Sequence, residues 1–187
     1  MSASKRDELV QKALKIFYRD GFHVTGMDKL VKETGISKTS MYNHFRTKED
    51  LILASLRLRD ELFRNRTYRR MDELTDDPRE KLLAMFTALD EWFRSEEFTG
   101  CMFIKASGEY PIPGTPIHSF SAEHKKLILS HITDIARQAG ARHPEDLARQ
   151  LMILKEGAIV TAHMQGPDNV ADDAREIAKV IIAKDID

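Results

Sequence analysis

The stretch TGMDKLVKETGISKTSMYNHFRTK, residues 25–48, holds two short helical segments separated by a glycine turn. Thr25 and Ser37 are residue types that begin helices, and Gly35 is the type that commonly ends one. Two short helices joined this tightly are typical of a helix-turn-helix, whose second helix can enter the major groove of DNA. Helical corners of the same shape also occur in bundles that do not bind DNA, and that alternative stays open at this point.

The second helix of this stretch has one apolar side and one small, hydrogen-bonding side. Met41 and Phe45 recur at the four-residue spacing that directs both into a core. Thr39 and Asn43 fall on the opposite side, and Ser40 and Tyr42 flank them. No acidic residue occurs between residues 37 and 48, so no carboxylate on this side would repel DNA phosphates.

Charge is divided unevenly along the chain. Over 187 residues the formal net charge is −1, but residues 1–60 carry +4 and residues 61–187 carry −5. A basic first part indicates an anionic partner for that part alone. A single cysteine, no signal peptide and no apolar run of about 18 residues predict a cytoplasmic protein without a membrane partner.

Helical periodicity runs through nearly the whole chain and predicts an all-α fold. Helix starts are expected at Ser4, Thr25, Ser37, Thr47, Asp77, Ser121, Pro144 and Asn169, with a short helix within residues 100–108. On the long helix that follows Thr47, the inner side is predicted to hold Leu51, Ile52, Ser55, Leu56 and Leu62. We predict a three-helix DNA-binding module, residues 1–50, joined by the long helix to a helical effector-binding and dimerisation domain, residues 51–187.

Several short clusters carry a family resemblance. They are Gly21-Phe22, Gly35-Ile36-Ser37-Lys38, Met41-Tyr42-Asn43-His44-Phe45 and Thr47-Lys48-Glu49-Asp50-Leu51, with weaker matches at Gly100–Phe103, Glu109–Pro111 and Leu154–Ala158. Over about residues 5–55 the chain resembles the DNA-binding region of the tetracycline-repressor (TetR/AcrR) family, whose members are bacterial.

The resemblance implies that this module binds double-stranded operator DNA. Together with the outward side of the second helix, it predicts base or phosphate contacts from Lys38, Thr39, Ser40, Tyr42, Asn43 and His44. It further implies phosphate anchoring by Thr25, Ser37 and Lys48. Amide groups at helix N-termini and the positive charge of Lys48 would suit such anchoring.

The resemblance also implies a homodimer formed by the last two long helices of each subunit. The predicted interface residues are Leu151, Leu154, Ala158, Ala162, Ala174, Ile177, Ala178 and Ile181. Small residues such as Gly157 would allow close helix approach, which favours the same arrangement. The alternative, that these stripes pack only within one subunit, stays open.

Family members bind small-molecule effectors, and the resemblance implies a mainly apolar pocket in the second domain. The candidate lining residues are Met85, Phe86, Leu89, Trp92, Phe103, Tyr110, His131 and His163. Ordinary core packing is the alternative for each of them. We expect no metal and no other cofactor, because the spacings of His118, His124 and His131 lack a converging carboxylate or thiolate.

These patterns favour a sequence-specific transcriptional regulator, most simply a repressor that a small molecule releases from its operator. An enzyme is disfavoured, because the sequence has no nucleophile–base arrangement, metal motif or glycine-rich phosphate loop. A redox sensor is disfavoured too, since no cation neighbours Cys101 on its own turn. The remaining alternative is an architectural DNA-binding or interaction protein without an effector.

Overall fold

The computed structural model describes residues 4–186, and within them every regular element is an α-helix. The helices are α1 (Lys5–Asp20), α2 (Met27–Thr34), α3 (Lys38–His44), α4 (Lys48–Leu74), α5 (Pro78–Phe93), α6 (Met102–Glu109), α7 (Pro116–Gln138), α8 (Pro144–Gln165) and α9 (Val170–Asp185). The predicted all-α class is confirmed. Within this range, no helix combines the length and the apolar character that crossing a membrane would require.

Side-chain caps account for several helix starts. The hydroxyls of Ser4 and Ser37 accept backbone amides three residues on, at 3.1 and 3.2 Å, which confirms both predicted starts. Thr47 and Asp50 form a reciprocal capping box, because each side chain accepts the backbone amide of the other residue at 3.0–3.1 Å. Asp77 accepts the amide of Glu80 at 2.9 Å and starts α5 as predicted.

Three local predictions are wrong. Helix α7 begins at Pro116 and not near Ser121, since proline fits the first turn of a helix. Leu62 is about half exposed and does not lie on the inner side of α4. Thr25 does not cap α2, which begins after Gly26 without a side-chain cap.

The described chain divides into two compact units. The first unit holds the described residues up to Leu62 together with Met102–His124, and the second holds Phe63–Cys101 together with the residues from Lys125 to 186. The boundaries fall within α4, at the start of α6 and within α7, so the units interleave in sequence. The assignment of residues 1–50 to DNA binding and of residues 51–187 to effector binding and dimerisation stays a prediction.

The first unit is built on α1. Leu9, Ala13 and Phe17 line its buried side, and Phe22 stacks on Phe17 with ring centroids 5.5 Å apart. Helix α2 packs against both α1 and α3. The placement of α3 therefore depends on α2 and on the loop that leads into it.

In the second unit, α5 packs against α8 and α9 around an apolar core. That core also contains a cluster of charged groups, which we name the Lys155 cluster: Lys155, Glu156 and Lys125 with Cys101 beside them. The buried Lys155 Nζ donates to Glu156 Oε1 at 2.8 Å, and Lys125 Nζ donates to Glu156 Oε2 at 2.6 Å. Lys125 Nζ also lies 3.3 Å from Cys101 Sγ. No local sequence pattern indicates that this cation lies beside the cysteine.

Burial and charge oppose one another in the Lys155 cluster. Burial raises the pKa of Glu156, but the ammonium groups of Lys155 and Lys125 outweigh it and lower that pKa to about 2. Burial lowers the pKa of Lys155, with Glu156 opposing the shift. The carboxylate is therefore the group that keeps two partly or fully buried ammonium groups compensated.

Candidate nucleic-acid interface

The apolar side of helix α3 packs into the core of the first unit, and a side-chain N-cap stabilises the start of the helix. Met41 and Phe45 are buried, while the hydroxyl of Ser37 accepts the Ser40 amide. Gly35 takes the left-handed conformation, with φ of +71°, and ends α2. The turn and the buried anchors thus direct the other side of α3 outward.

The outward side of α3 carries the predicted contact residues. Exposed residues there are Ser37, Lys38, Thr39, Tyr42, Asn43 and His44, and Ser40 is half-buried. Tyr42 is 46% exposed although it is aromatic. Within residues 4–186, the side chains of Thr39, Tyr42 and Asn43 have no hydrogen-bond partner, so their donors and acceptors face solvent. We call these outward side chains the α3 surface.

An acidic side chain lies closer to the α3 surface than the sequence indicates. Asp28 Oδ1 pairs with Lys38 Nζ at 3.2 Å, and both side chains are exposed. A salt bridge between exposed groups contributes only about 0–1 kcal/mol. Lys38 can therefore exchange Asp28 for a phosphate oxygen at little cost.

The side chains of Thr25 and Lys48 donate hydrogen bonds to backbone carbonyls of the protein itself. Thr25 has no exposed surface, and its hydroxyl donates to the Gly21 carbonyl at 2.7 Å. Because the Thr25 side chain is buried, only backbone amides could anchor a phosphate there, and that anchoring stays a prediction. Lys48 Nζ donates to the carbonyls of Phe22 and Thr25 at 2.9 and 3.3 Å, which leaves one of its three N–H groups for a phosphate.

Glu109 is the residue that our reading of the helix-turn-helix stretch missed. Its carboxylate accepts the backbone amides of Phe22 and His23, at 2.9 and 2.5 Å. The partners are 87 and 86 residues away in sequence, so no local spacing predicts the contact. The weak family match at Glu109–Pro111 was the one available signal.

The predicted pocket residues are divided between the two units. Phe103 and Tyr110 belong to the first unit, and the other six belong to the second. Met85, Phe86, Leu89 and Trp92 are buried in the apolar core of the second unit. The role of these four as a pocket lining stays a prediction.

The remaining pocket candidates have specific contacts within their own units. His131 stacks on Tyr68 with ring centroids 3.6 Å apart, and burial lowers the pKa of its imidazole. Phe103 stacks on His124 at 3.6 Å, and burial raises the pKa of Tyr110 to about 12. His163 is exposed and its ring lies against Gly100, and its role as a polar group in a pocket stays a prediction.

The predicted dimer residues do not share one environment. Leu151, Ala162 and Ala178 are buried in the core of their own unit, and the structure corrects their placement at an interface. Ala158 and Ala174 are mostly buried but line a groove between α8 and α9, and Leu154 and Ile181 are partly buried. Ile177 is about half exposed.

Sequence reasoning missed most of the exposed apolar residues on these two helices. They are Ile153, Val160 and Met164 on α8, with Ile177 and Val180 on α9. The groove between the helices has a volume of about 380 Å³ and is lined by Ile153, Leu154, Gly157, Ala158, Thr161, Val170, Asp173, Ala174 and Ile177. We name the exposed apolar residues and this groove together the α8–α9 face.

Comparison with known proteins places the helix-turn-helix in a family. Residues 9–55 match the family model for bacterial regulatory proteins of the tetR family. Over 179 residues the chain is 25% identical to the HTH-type transcriptional regulator YjdC of Escherichia coli (strain K12), covering 95% of this chain and 93% of YjdC. Residues 9–55 are a tetR-family DNA-binding region.

Two further proteins extend the comparison. The chain is 36% identical over 87 residues to the HTH-type transcriptional repressor KstR2 of Mycolicibacterium smegmatis, covering 46% of this chain and 42% of KstR2. The crystal structure of SCO4454, a TetR-family transcriptional regulator from Streptomyces coelicolor, matches with a TM-score of 0.91 and 27% identity, covering 97% of this chain and 90% of that one. The chain therefore shares the family's helical fold over nearly its whole length and is a helix-turn-helix transcriptional regulator.

Proposed function

We propose that this chain is a bacterial, cytoplasmic TetR-family repressor that binds operator DNA as a homodimer and is released by a small-molecule effector. The observation that carries the DNA-binding part is the α3 surface, which presents hydroxyl, amide and imidazole groups with unused hydrogen-bonding capacity. Its role is binding and not catalysis, in keeping with relatives named as transcriptional regulators.

Sequence reading by α3 would use side chains short enough to approach base edges. Asn43 can pair with the N6 and N7 edge of adenine, and the methyl and hydroxyl of Thr39 suit a thymine methyl or an acceptor. Tyr42 and Lys38 would contact phosphate oxygens, which position the helix but carry no sequence information. The +4 charge of residues 1–60 would favour the approach to DNA.

The α8–α9 face supports the homodimer. Exposed Ile153, Met164 and Ile177 form apolar surface that one described chain leaves in solvent, and a second copy would bury it. Two copies are also what an operator with two half-sites requires, because recognition helices must meet successive major grooves about 34–36 Å apart.

The effector is supported by resemblance and by composition. KstR2 is named as a repressor, which favours repression here. The core of the second unit contains the large apolar side chains of Phe86, Trp92 and Phe93, so we propose a largely apolar effector. Release would require the effector to prefer the state that does not bind DNA, with a coupling of about 1–3 kcal/mol.

Selection of fragments from the protein's own genome, followed by titration of the retained sequence, tests the proposed function. We expect Tyr42→Phe combined with Asn43→Ala to weaken operator binding about tenfold or more, since a bidentate base contact alone is worth about 1–3 kcal/mol. Asn65→Ala, an exposed amide on α4, is the matched control and should bind like the wild type. Unchanged affinity of the double variant would refute recognition through α3.

The same titration separates the architectural alternative. A sequence-indifferent protein would be displaced equally well by random DNA and by the selected fragment, at equal salt concentration. A regulator should require far more random DNA for the same displacement. Small molecules can then be screened by their effect on the retained complex.

A further inference from the structure

The loop between α1 and α2, residues 21–26, is held by two side chains of opposite charge from other helices of the first unit. On one side, the Glu109 carboxylate at the end of α6 accepts the amides of Phe22 and His23. On the other side, the Lys48 ammonium at the start of α4 donates to the carbonyls of Phe22 and Thr25. We name residues 21–26 the α1–α2 loop.

The backbone at Gly21 is fitted closely to this carboxylate. Gly21 has a φ of +91°, and a Cβ atom placed there would lie 2.9 Å from Glu109 Oε1. A side chain at this position would therefore be strained by the backbone and would displace the carboxylate. The position combines a conformation that favours glycine with a close approach to Glu109.

Two residues of the α1–α2 loop make further contacts within the first unit, and the loop connects them to α2 and α3. Phe22 is buried against Phe17 in the core of the first unit. The Tyr110 ring, next to Glu109 in sequence, lies 4.8 Å from the His23 ring between centroids. The α1–α2 loop leads into α2, and α2 packs against α3.

We propose that Glu109 is a positioning residue for DNA recognition, because its carboxylate fixes the α1–α2 loop and thereby the orientation of α2 and α3. This inference rests on the proposed function. A carboxylate offers acceptors to both amides at once, and charge-assisted hydrogen bonds are about twice as strong as neutral ones. A tighter loop restricts α3 to the orientation that correctly spaced half-sites require.

Glu109→Gln tests the inference with almost no change in volume. Glutamine keeps one acceptor but replaces the other with an NH₂ group, which would face a backbone N–H instead of accepting it. Glu123→Gln, an exposed glutamate in the first unit, removes the same charge and serves as the control. Glu109→Asp keeps the charge but shortens the reach, and it carries the same measurements should the Gln variant not fold.

Three measurements are made on the full chain. Amide hydrogen exchange at Phe22 and His23 should become faster in Glu109→Gln, while the denaturant midpoint of unfolding stays close to that of the control. Affinity for the selected operator should fall about tenfold, as expected for loss of a charge-assisted bond. On operators whose half-sites are moved one base pair apart, the variant should lose less affinity than the wild type, because its α3 is less restricted.

Each contrary result has a distinct meaning. Unchanged exchange at Phe22 and His23 would show that the carboxylate does not hold the loop and would overturn the inference. Faster exchange with wild-type affinity would overturn it also, as would equal losses on correctly and incorrectly spaced operators, which indicate mere destabilisation. If the wild type itself selects no DNA sequence, the proposed function fails and the inference fails with it.

Discussion

The α3 surface and the Lys155 cluster place polar groups under opposite conditions. Thr39 and Asn43 are exposed, and water satisfies them. Lys155 is 1% exposed, and its charge is compensated by Glu156. An exposed polar group can exchange water for a ligand at little cost, whereas a buried one must be paired in the fold itself. Substitutions should therefore affect binding in the first region and folding in the second.

The largest effect is expected at the carboxylate of the Lys155 cluster. Glu156→Gln removes the charge that compensates Lys155 and Lys125, and it should lower the free energy of unfolding by about 3 kcal/mol or more. Urea unfolding at neutral pH measures this. Glu176→Gln breaks an exposed ion pair with Lys179 and should change the same quantity by less than about 0.5 kcal/mol. Equal effects of the two substitutions would mean that the buried charges are not coupled to folding.

Acid should reproduce much of that loss in the wild type. The pKa of Glu156 is about 2 in the folded chain, against an ordinary value of 4.5. A depressed pKa contributes stability above the unfolded value, and this contribution is lost as the pH falls from about 4.5 towards 2. Over that range, the wild type should lose more unfolding free energy than Glu156→Gln, by up to about 3 kcal/mol. Parallel pH profiles of the two proteins would contradict the pairing.

Removal of the buried ammonium should have a smaller effect, of opposite sign. Lys155→Met fills a similar volume without a buried charge, and Glu156 keeps Lys125 at 2.6 Å. Since replacement of buried ions by apolar groups is often neutral or stabilising, we expect the free energy of unfolding to rise by about 1 kcal/mol. Urea unfolding beside Lys179→Met, an exposed control, measures the change. A clear loss in Lys155→Met would show that the ammonium is itself required.

The two regions also differ in how far the amino-acid sequence predicts them. The caps at Ser37 and Thr47 and the outward direction of Asn43 depend on residues within four positions, so local spacing is sufficient. The contact of Glu109 with Phe22 and that of Lys125 with Glu156 join distant segments, and no spacing encodes them.

Helix α8 shows a further limit of sequence patterns. Leu151 and Ile153 are both apolar, yet the first is buried in the core and the second is exposed. Periodicity identifies apolar stripes, but it does not say which stripe a subunit uses for its own core. For the same reason the apolar pocket candidates, such as Met85 and Phe86, could not be distinguished from ordinary core.

The smallest effect on folding is expected on the α3 surface, where a substitution should change DNA binding but not stability. Thr39→Val keeps the shape of the side chain and replaces its hydroxyl with a methyl group. Because Thr39 is exposed, the free energy of unfolding should change by less than about 0.5 kcal/mol. Operator affinity should nevertheless fall, and random-sequence DNA should bind as before, since a base contact carries specificity and phosphate contacts do not. Competition titrations with both DNAs measure this, and an equal loss on the two would place Thr39 at a phosphate instead of a base.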